Sequence, residues 1–228
     1  LARMLIAWRR PLGALFLLLT LGLGYSALNT RLDPGFNKLI PMSHPYMQAF
    51  LQYGSTFSGA NRVMVSVRWK GEGDIYNPTF MKALQNVTDE VFFIPGVNRG
   101  EVRSLFTPNV RFIEVTEEGF NGDVVIPAQF NADPENLAQV RANVAKSGQI
   151  GRLVANDLKS ALVQADLLEI NPQTGAKLDY ASVASKLEAI RTAHANQQID
   201  IHIVGFAKVM GDVMEGLTTV LLFFVIAF

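Results

Sequence analysis

The sequence contains no cysteine, which excludes a disulfide framework and a metal site built from thiolates. Its 20 basic residues are balanced by 20 acidic ones. A chain without excess positive charge has no electrostatic attraction for nucleic acid, so we expect no nucleic-acid partner. The absence of cysteine is compatible with a bacterial periplasm.

Recognisable catalytic motifs are also missing. The three histidines, His44, His194 and His202, do not have the spacing of an HExxH or HxxxH metal site. There is no GxSxG nucleophile motif, and the glycines at 71 and 73 lack the later glycine and lysine of a phosphate-binding loop. We therefore predict that the chain is not an enzyme and requires neither a metal ion nor a cofactor.

Charge is absent from the 20 residues between Arg10 and Arg31. A helix of that length spans about 30 Å, the thickness of the hydrocarbon core of a bilayer. A second apolar run, residues 217–228, is still apolar where the sequence stops. The two runs predict a first transmembrane helix and the start of a second. We accordingly expect the sequence to be a piece of a longer, multi-pass protein.

The first apolar run has an asymmetric charge distribution around it. Arg3, Arg9 and Arg10 precede it, and the first acidic residue of the chain is Asp33. Because basic residues favour the cytoplasmic side, we predict a cytoplasmic N-terminus and residues of about 31–212 outside the cytoplasm. The alternative is a cleaved signal peptide, which would suit the basic start and the small residues Gly24, Ser26 and Ala27.

Two strand–helix–strand patterns follow in the middle of the chain. The first has alternating apolar residues at 63–69, a helix beginning at Asn77-Pro78 and a strand around 100–106. The second has a strand at about 160–170, a helix after Asp179 and alternating isoleucines at 199–203. Together they predict an α+β fold in which two β-α-β units form a four-stranded split β-α-β sandwich.

The segment between these units has elements of its own. A strand is predicted at 110–115, a turn at 119–122, a short strand at 124–126 and a helix from Asp133-Pro134. Before the first unit, Tyr46, Phe50, Tyr53 and Phe57 recur at helical spacing, which is typical of a face packed in a core. The predicted division is residues 1–30 for the basic flank and first membrane helix, 31–60 for a connecting loop and helix, 61–208 for the α/β domain with an insertion near 109–150, and 209–228 for the truncated second membrane helix.

Asp212 and Glu215 lie three residues apart, just before the second apolar run. A helix would place both on one face, where the simplest interpretation is that they are acids in the first turn, stabilised by the helix dipole. The alternative interpretation is that they line an entry for substrate or cations at the membrane boundary.

Three stretches of the sequence together resemble a known family. They are the loop at residues 33–41 with Ser43-His-Pro-Tyr46, the stretch Ile94-Pro-Gly-Val97 with Val102-Arg-Ser-Leu-Phe-Thr-Pro108, and Ile201-His-Ile-Val-Gly-Phe-Ala-Lys-Val-Met-Gly-Asp212. In this order, and with the two apolar runs, the chain resembles the RND superfamily of bacterial transporters, in its MMPL-like branch of hydrophobe and amphiphile exporters. The resemblance covers the first span, the first periplasmic loop with its porter-type domain, and the start of the second span.

The resemblance implies a proton-driven secondary transporter in the bacterial inner membrane. Its substrates would be amphiphiles, lipids or drugs, and its partners the bilayer, further copies of itself as a dimer or trimer, and a periplasmic adaptor. The proton-relay acids would lie beyond residue 228. Aromatic side chains that could line a periplasmic substrate path, or equally belong to the core, are Phe57, Trp69, Phe92, Phe93 and Phe106.

Two other classes share this layout. A sensory receptor also has one span, an extracytoplasmic α/β domain and a second span, and would continue into a cytoplasmic signalling helix. A membrane-anchored scaffold protein is the third reading, although paired β-α-β units are weak evidence against it, because internal repeats are common in transporters.

Overall fold

The computed structural model describes residues 8–28, 41, 43–53, 61–117, 119–170 and 175–227. The chain divides into two compact units, Leu1–Pro34 and Gly35–Phe228. In the first unit, α1 (Arg9–Leu28) is a 20-residue helix, so the first apolar run is helical as predicted. Of the helices in the described part of the chain, none is both long and apolar enough to cross a membrane.

The second unit contains five strands and five α-helices among its described residues. In chain order they are α2 (Pro45–Tyr53), β1 (Arg62–Trp69), α3 (Pro78–Phe92), β2 (Arg111–Thr116), β3 (Gly119–Val124), α4 (Pro134–Lys146), β4 (Ser160–Asp166), α5 (Tyr180–His194), β5 (Ile199–Gly205) and α6 (Phe206–Ala227). The mixed α+β class predicted from the sequence is confirmed.

The central sheet has the strand order β4-β1-β5, and β1 is antiparallel to both of its neighbours. Val65 of β1 stands opposite Val163 of β4 and Ile203 of β5. Along β1, Val63, Val65 and Val67 are buried while the residues between them are not. The alternation places one face of this sheet in the core, as the period-two pattern predicts.

Helices α3 and α5 supply the other side of that core. The Asn77 side chain caps α3 by accepting a hydrogen bond from the backbone N–H of Phe80 at 2.8 Å, and Asp179 caps α5 through Ser182 N at 3.0 Å. Capping satisfies amide groups that the first helical turn leaves unpaired. The predicted apolar faces of both helices are buried, namely Phe80, Leu84, Val87 and Val91 in α3 and Val183, Leu187 and Ile190 in α5.

The strand predicted around 100–106 is wrong. Residues Arg99–Glu101 form a short 3-10 helix. The segment forms two isolated antiparallel bridges, Val97 with Leu167 just past the end of β4 and Arg103 with Gln164 of β4, and Asn98 N donates to the carbonyl of Asp166 at 2.8 Å. The physical reason is local: the hydroxyl of Thr107 accepts a hydrogen bond from Ser104 N at 2.9 Å. Side-chain bonds of this kind compete with a strand ladder, and the central sheet therefore has three strands among the described residues.

Strands β2 and β3 form a separate antiparallel hairpin. The strand predicted at 110–115 is confirmed, but the turn predicted at 119–122 and the strand at 124–126 are wrong. The chain reverses earlier, between Thr116 and Gly119, where Gly119 has a φ of +129° that favours glycine. Residues 125 and 126 lie beyond the strand and are buried.

Helix α4 follows the hairpin and forms as predicted from Asp133-Pro134. Asp133 accepts a hydrogen bond from Asn136 N at 2.8 Å, and that bond to the charged form lowers the pKa of its carboxyl group. Buried Leu137, Val140 and Val144 turn the helix towards the core. The insertion is therefore packed onto the same core as the central sheet.

The aromatic face predicted for α2 does not point into the core. Tyr46 and Tyr53 are 65% and 52% exposed, whereas Met47 on another side of the helix is fully buried. The prediction of a core role is wrong for these two tyrosines, because the helix packs through Met47. Phe57 and the side chain of Phe50 lie outside the described residues.

Strand β5 runs directly into α6. Gly205 ends the strand and Phe206 begins the helix, with no residue between them. Gly205 has a φ of +150°, and a Cβ atom there would lie 2.5 Å from the carbonyl oxygen of Arg62. Only glycine fits this close approach, so the residue that joins sheet to helix is also pressed against β1.

Candidate functional site

A groove of about 970 Å³ lies between α5 and the first half of α6. We call it the α5–α6 groove. Its lining combines small residues with charged ones. The lining residues are Ala181, Ala184, Ser185, Glu188, Ala189, Arg191, Thr192, Ala193, Lys208, Gly211, Asp212, Met214 and Glu215.

Gly211 sets the depth of this groove. A Cβ atom at this position would lie 2.1 Å from the Cβ of Ala184 and 3.1 Å from the carbonyl oxygen of Tyr180. Backbones of two helices can approach this closely only where side chains are minimal. Tyr180 and Phe206, the first residues of α5 and α6, also contact each other edge-to-face, with ring centroids 5.6 Å apart.

Lys208 is the centre of an ion network across the groove. Its ammonium group lies 2.5 Å from Asp212 Oδ1 in the next helical turn and 3.5 Å from Glu188 Oε2 of α5. Arg191 also pairs with Glu188. Only 16% of the Lys208 side chain is exposed, so the charge is partly withdrawn from water and its interactions are less screened than those of a surface pair.

Glu188 depends on this arrangement. Its Oε2 atom is buried and makes no hydrogen bond with the described residues. A buried carboxylate oxygen without compensation is costly, and the ammonium of Lys208 is the positive charge that faces it. The network therefore ties α5 to α6 electrostatically, in addition to the close packing at Gly211.

The two predicted boundary acids both line the groove, but the interpretation as first-turn acids is wrong. Because α6 begins at Phe206, Asp212 lies in its second turn and Glu215 in its third. Asp212 is paired with Lys208, whereas Glu215 is an exposed residue of the groove lining. A role in admitting substrate or cations stays a prediction.

The aromatic residues predicted for a substrate path occupy different environments. Trp69 is buried, and its indole N–H donates to the carbonyl of Glu72 at 2.8 Å, across Gly71. Phe106 is half-buried and meets Phe130 edge-to-face at 5.9 Å. Phe57 lies outside the described residues.

Phe92 and Phe93 are the path candidates that touch each other, with centroids 5.4 Å apart. Phe93 is 66% exposed. The guanidinium carbon of Arg99 lies 5.6 Å from the ring centre of Phe92 and 5.5 Å from that of Phe93, within the range of a cation–π interaction. A substrate path shared by these aromatic residues stays a prediction. Neither phenylalanine lines the α5–α6 groove.

The stretch 102–108, which contributes to the family resemblance, is used by the fold. Ser104 is fully buried, and its hydroxyl lies 2.7 Å from that of Thr88 in α3. Asn109 donates to the carbonyl of Val102 at 2.9 Å. These bonds anchor the turn after the 3-10 helix on α3, so the polar residues of the stretch serve packing.

A second ionisable cluster joins the loop after β1 to α4. Arg141 pairs with Asp74 at 3.0 Å and lies 5.4 Å above the ring of Tyr76. Burial, together with the nearby Asp74 carboxylate, raises the pKa of the Tyr76 phenol to about 12, against the opposing effect of Arg141. Among the described residues, no group of three His, Asp or Glu side chains is placed to hold a metal ion.

The residues of the α5–α6 groove that sequence reasoning missed are Lys208, Glu188, Arg191 and Gly211. Lys208 and Asp212 are four residues apart, a spacing that signals a helical ion pair, so that contact could have been found. The pairing with Glu188 and the fit of Gly211 against Ala184 require the docking of α5 on α6. No protein-family model matches the chain, and no curated protein matches it either.

Proposed function

We propose that the chain is the periplasmic substrate-handling part of an inner-membrane, proton-driven secondary transporter of the RND superfamily, in its MMPL-like branch. It would export hydrophobic or amphiphilic molecules such as lipids or drugs. The observation that carries the proposal is the uninterrupted join of β5 to α6 at Gly205. A displacement of α6 would therefore also move β5 and the central sheet, because no loop lies between α6 and β5.

The arrangement of the sheet supports a porter-type domain. The order β4-β1-β5, with the isolated bridges of Val97 to Leu167 and of Arg103 to Gln164, supports a split β-α-β fold in which the fourth strand is reduced to bridges. The second predicted unit is represented in full by β4, α5 and β5, and the first by β1 and α3 without a second strand. In this proposal the isolated bridges at Val97 and Arg103 take the place of the second strand of the first unit, whereas the second unit has a complete second strand, β5.

The α5–α6 groove supplies a place where the membrane-facing helix and the periplasmic domain meet. The small residues of its lining would accept an apolar chain, and its charged residues carry both signs. In the proposed topology α1 and the distal part of α6 are membrane-embedded, and the ion network of Lys208 lies near the periplasmic boundary. Such a surface matches a molecule that has an apolar tail and a polar head.

Topology and transport can be tested separately. Because the chain has no cysteine, Asn121→Cys and Ala2→Cys each provide a single label site. A membrane-impermeant thiol reagent should label the first in intact spheroplasts and the second only after permeabilisation; the reverse pattern would overturn the orientation.

For transport, a deletion strain should accumulate more of the amphiphilic dye Nile red than the complemented strain, and a protonophore should abolish the difference. Equal accumulation before the protonophore is added would count against export.

A further inference from the structure

The β2–β3 hairpin exposes large apolar side chains on one of its faces. Ile113, Val115 and Phe120 are 70%, 76% and 85% exposed, and Val115 stands directly opposite Phe120. We call these three residues the hairpin face. Contiguous exposed apolar residues of this size mark interaction sites, and a two-stranded sheet alone is only marginally stable in water.

The other face of the hairpin fixes its orientation. Glu114 pairs with Lys146 of α4 at 2.7 Å, and Phe112 on the same side of β2 is half-buried. Since neighbouring residues of a strand point to opposite faces, these contacts turn Ile113 and Val115 outward. The exposure of the hairpin face therefore follows from specific contacts on its reverse side.

The charge beside the hairpin face indicates what it does not bind. Exposed Glu117 occupies the tip, and Glu118 follows it in the sequence. None of the ion pairs among the described residues involves Glu117. An acidic tip is repelled by the anionic headgroups of a membrane surface, so the complementary partner is an apolar surface with basic groups beside it.

Such a surface exists on the same chain. Phe92, Phe93 and Arg99 form what we call the aromatic–basic patch, in which Arg99 lies over both rings. Phe93 is largely exposed, and Arg99 is exposed. Arg99 enters no ion pair in the described ranges. The segment 99–103 also contains Glu101 and exposed Arg103, which gives it a net charge of +1.

We propose that the hairpin face of one copy docks on the aromatic–basic patch of a second copy. Apolar residues would meet Phe93, and the acidic tip would meet Arg99. Since the two surfaces differ, the contact is head-to-tail, and repetition closes it into a ring when the rotation allows. This self-association does not require the protein to be a transporter, so its test and the transport test can fail independently.

Phe120→Asp is the variant that tests the contact, and Asn121→Asp on the opposite face of the same strand is its matched control. Analytical ultracentrifugation of the whole chain in detergent should show an oligomer for the wild type and the control, and a monomer for Phe120→Asp. Circular dichroism confirms that both variants are folded. A monomeric wild type, or an unchanged oligomer of Phe120→Asp, would overturn the proposal and leave the face to lipid or to another protein.

Cross-linking distinguishes the direction of the contact. Two differently tagged preparations, Val115→Cys and Phe93→Cys, should form a mixed disulfide on mild oxidation. The control pair, Asn121→Cys with Phe93→Cys, should form less of it. Disulfides only between two Val115→Cys chains would show a face-to-face dimer and contradict head-to-tail docking.

Discussion

Replacement of Lys208 by methionine removes the charge at the centre of the α5–α6 groove and keeps the apolar stem. Lysine and methionine have similar helix propensities, so α6 itself should be little affected. The loss is therefore confined to the interactions of the ammonium group with Asp212 and Glu188. We predict that Lys208→Met destabilises the second unit.

The magnitude follows from the burial of the two partners. Asp212 has a half-exposed side chain, so its pair with Lys208 contributes only a few tenths of a kcal/mol. Glu188 Oε2 is buried and makes no hydrogen bond. Leaving such an atom without its facing charge costs roughly 1–3 kcal/mol. Because Arg191 still pairs with Glu188, we expect the lower half of that range, about 1–2 kcal/mol in total.

Urea unfolding followed by the fluorescence of buried Trp69, in a Trp8→Phe background, measures this cost. Lys186→Met, an exposed position of α5, is the control and should change stability by less than about 0.5 kcal/mol. Adding Glu188→Gln to Lys208→Met should recover part of the loss. Equal unfolding midpoints for Lys208→Met and Lys186→Met, or no recovery in the double variant, would refute the network.

Three further predictions concern packing, ionisation and capping. Gly211→Ala should destabilise by about 1–3 kcal/mol, because its Cβ would meet Ala184, whereas Gly216→Ala, with nothing within 4 Å, should stabilise α6 in the same urea assay. Unfolded tyrosine ionises near pH 10 and folded Tyr76 near pH 12. The unfolded chain thus loses its proton first, and stability should fall between about pH 10 and 12. Tyr76→Phe should remove the part of this fall in stability that Tyr76 causes. Identical stability–pH profiles of Tyr76→Phe and the wild type would contradict this prediction. Asn77→Ala should lower stability by about 1 kcal/mol through loss of the α3 cap, measured as a shift in Tm; no shift would show that the cap is dispensable.

Sequence patterns correctly predicted the elements in which the periodicity of apolar residues and the residues at the ends of the element favour the same conformation. Strand β1 has strict alternation, and α3, α4 and α5 each begin at a residue that caps the helix in the structure, Asn77, Asp133 and Asp179. Local signals were sufficient there because burial and backbone hydrogen bonding point to the same conformation.

The errors arose where a side chain or a neighbouring element overrides the local pattern. Around Ser104, side-chain hydrogen bonds replace the expected strand. In α2, packing through Met47 leaves Tyr46 and Tyr53 exposed, although all three lie on a helix. Periodicity shows which residues share a face, but the choice of the buried face depends on what the helix packs against.

Only part of the candidate site could be predicted from the sequence. The common face of Asp212 and Glu215 follows from their spacing, and both line the groove. The compensation of Glu188 by Lys208 links residues from two helices separated by β5, and no periodicity reports such a contact. The tight approach at Gly211 is equally a property of the docked helices.

The most direct test of the proposed function is proton-coupled movement of an amphiphile by the purified protein in its native length. Proteoliposomes loaded with Nile red, with a proton gradient imposed across the bilayer, should show dye movement that stops when a protonophore collapses the gradient. Movement at the rate of protein-free liposomes, with or without the gradient, would contradict the transporter proposal and favour the receptor reading.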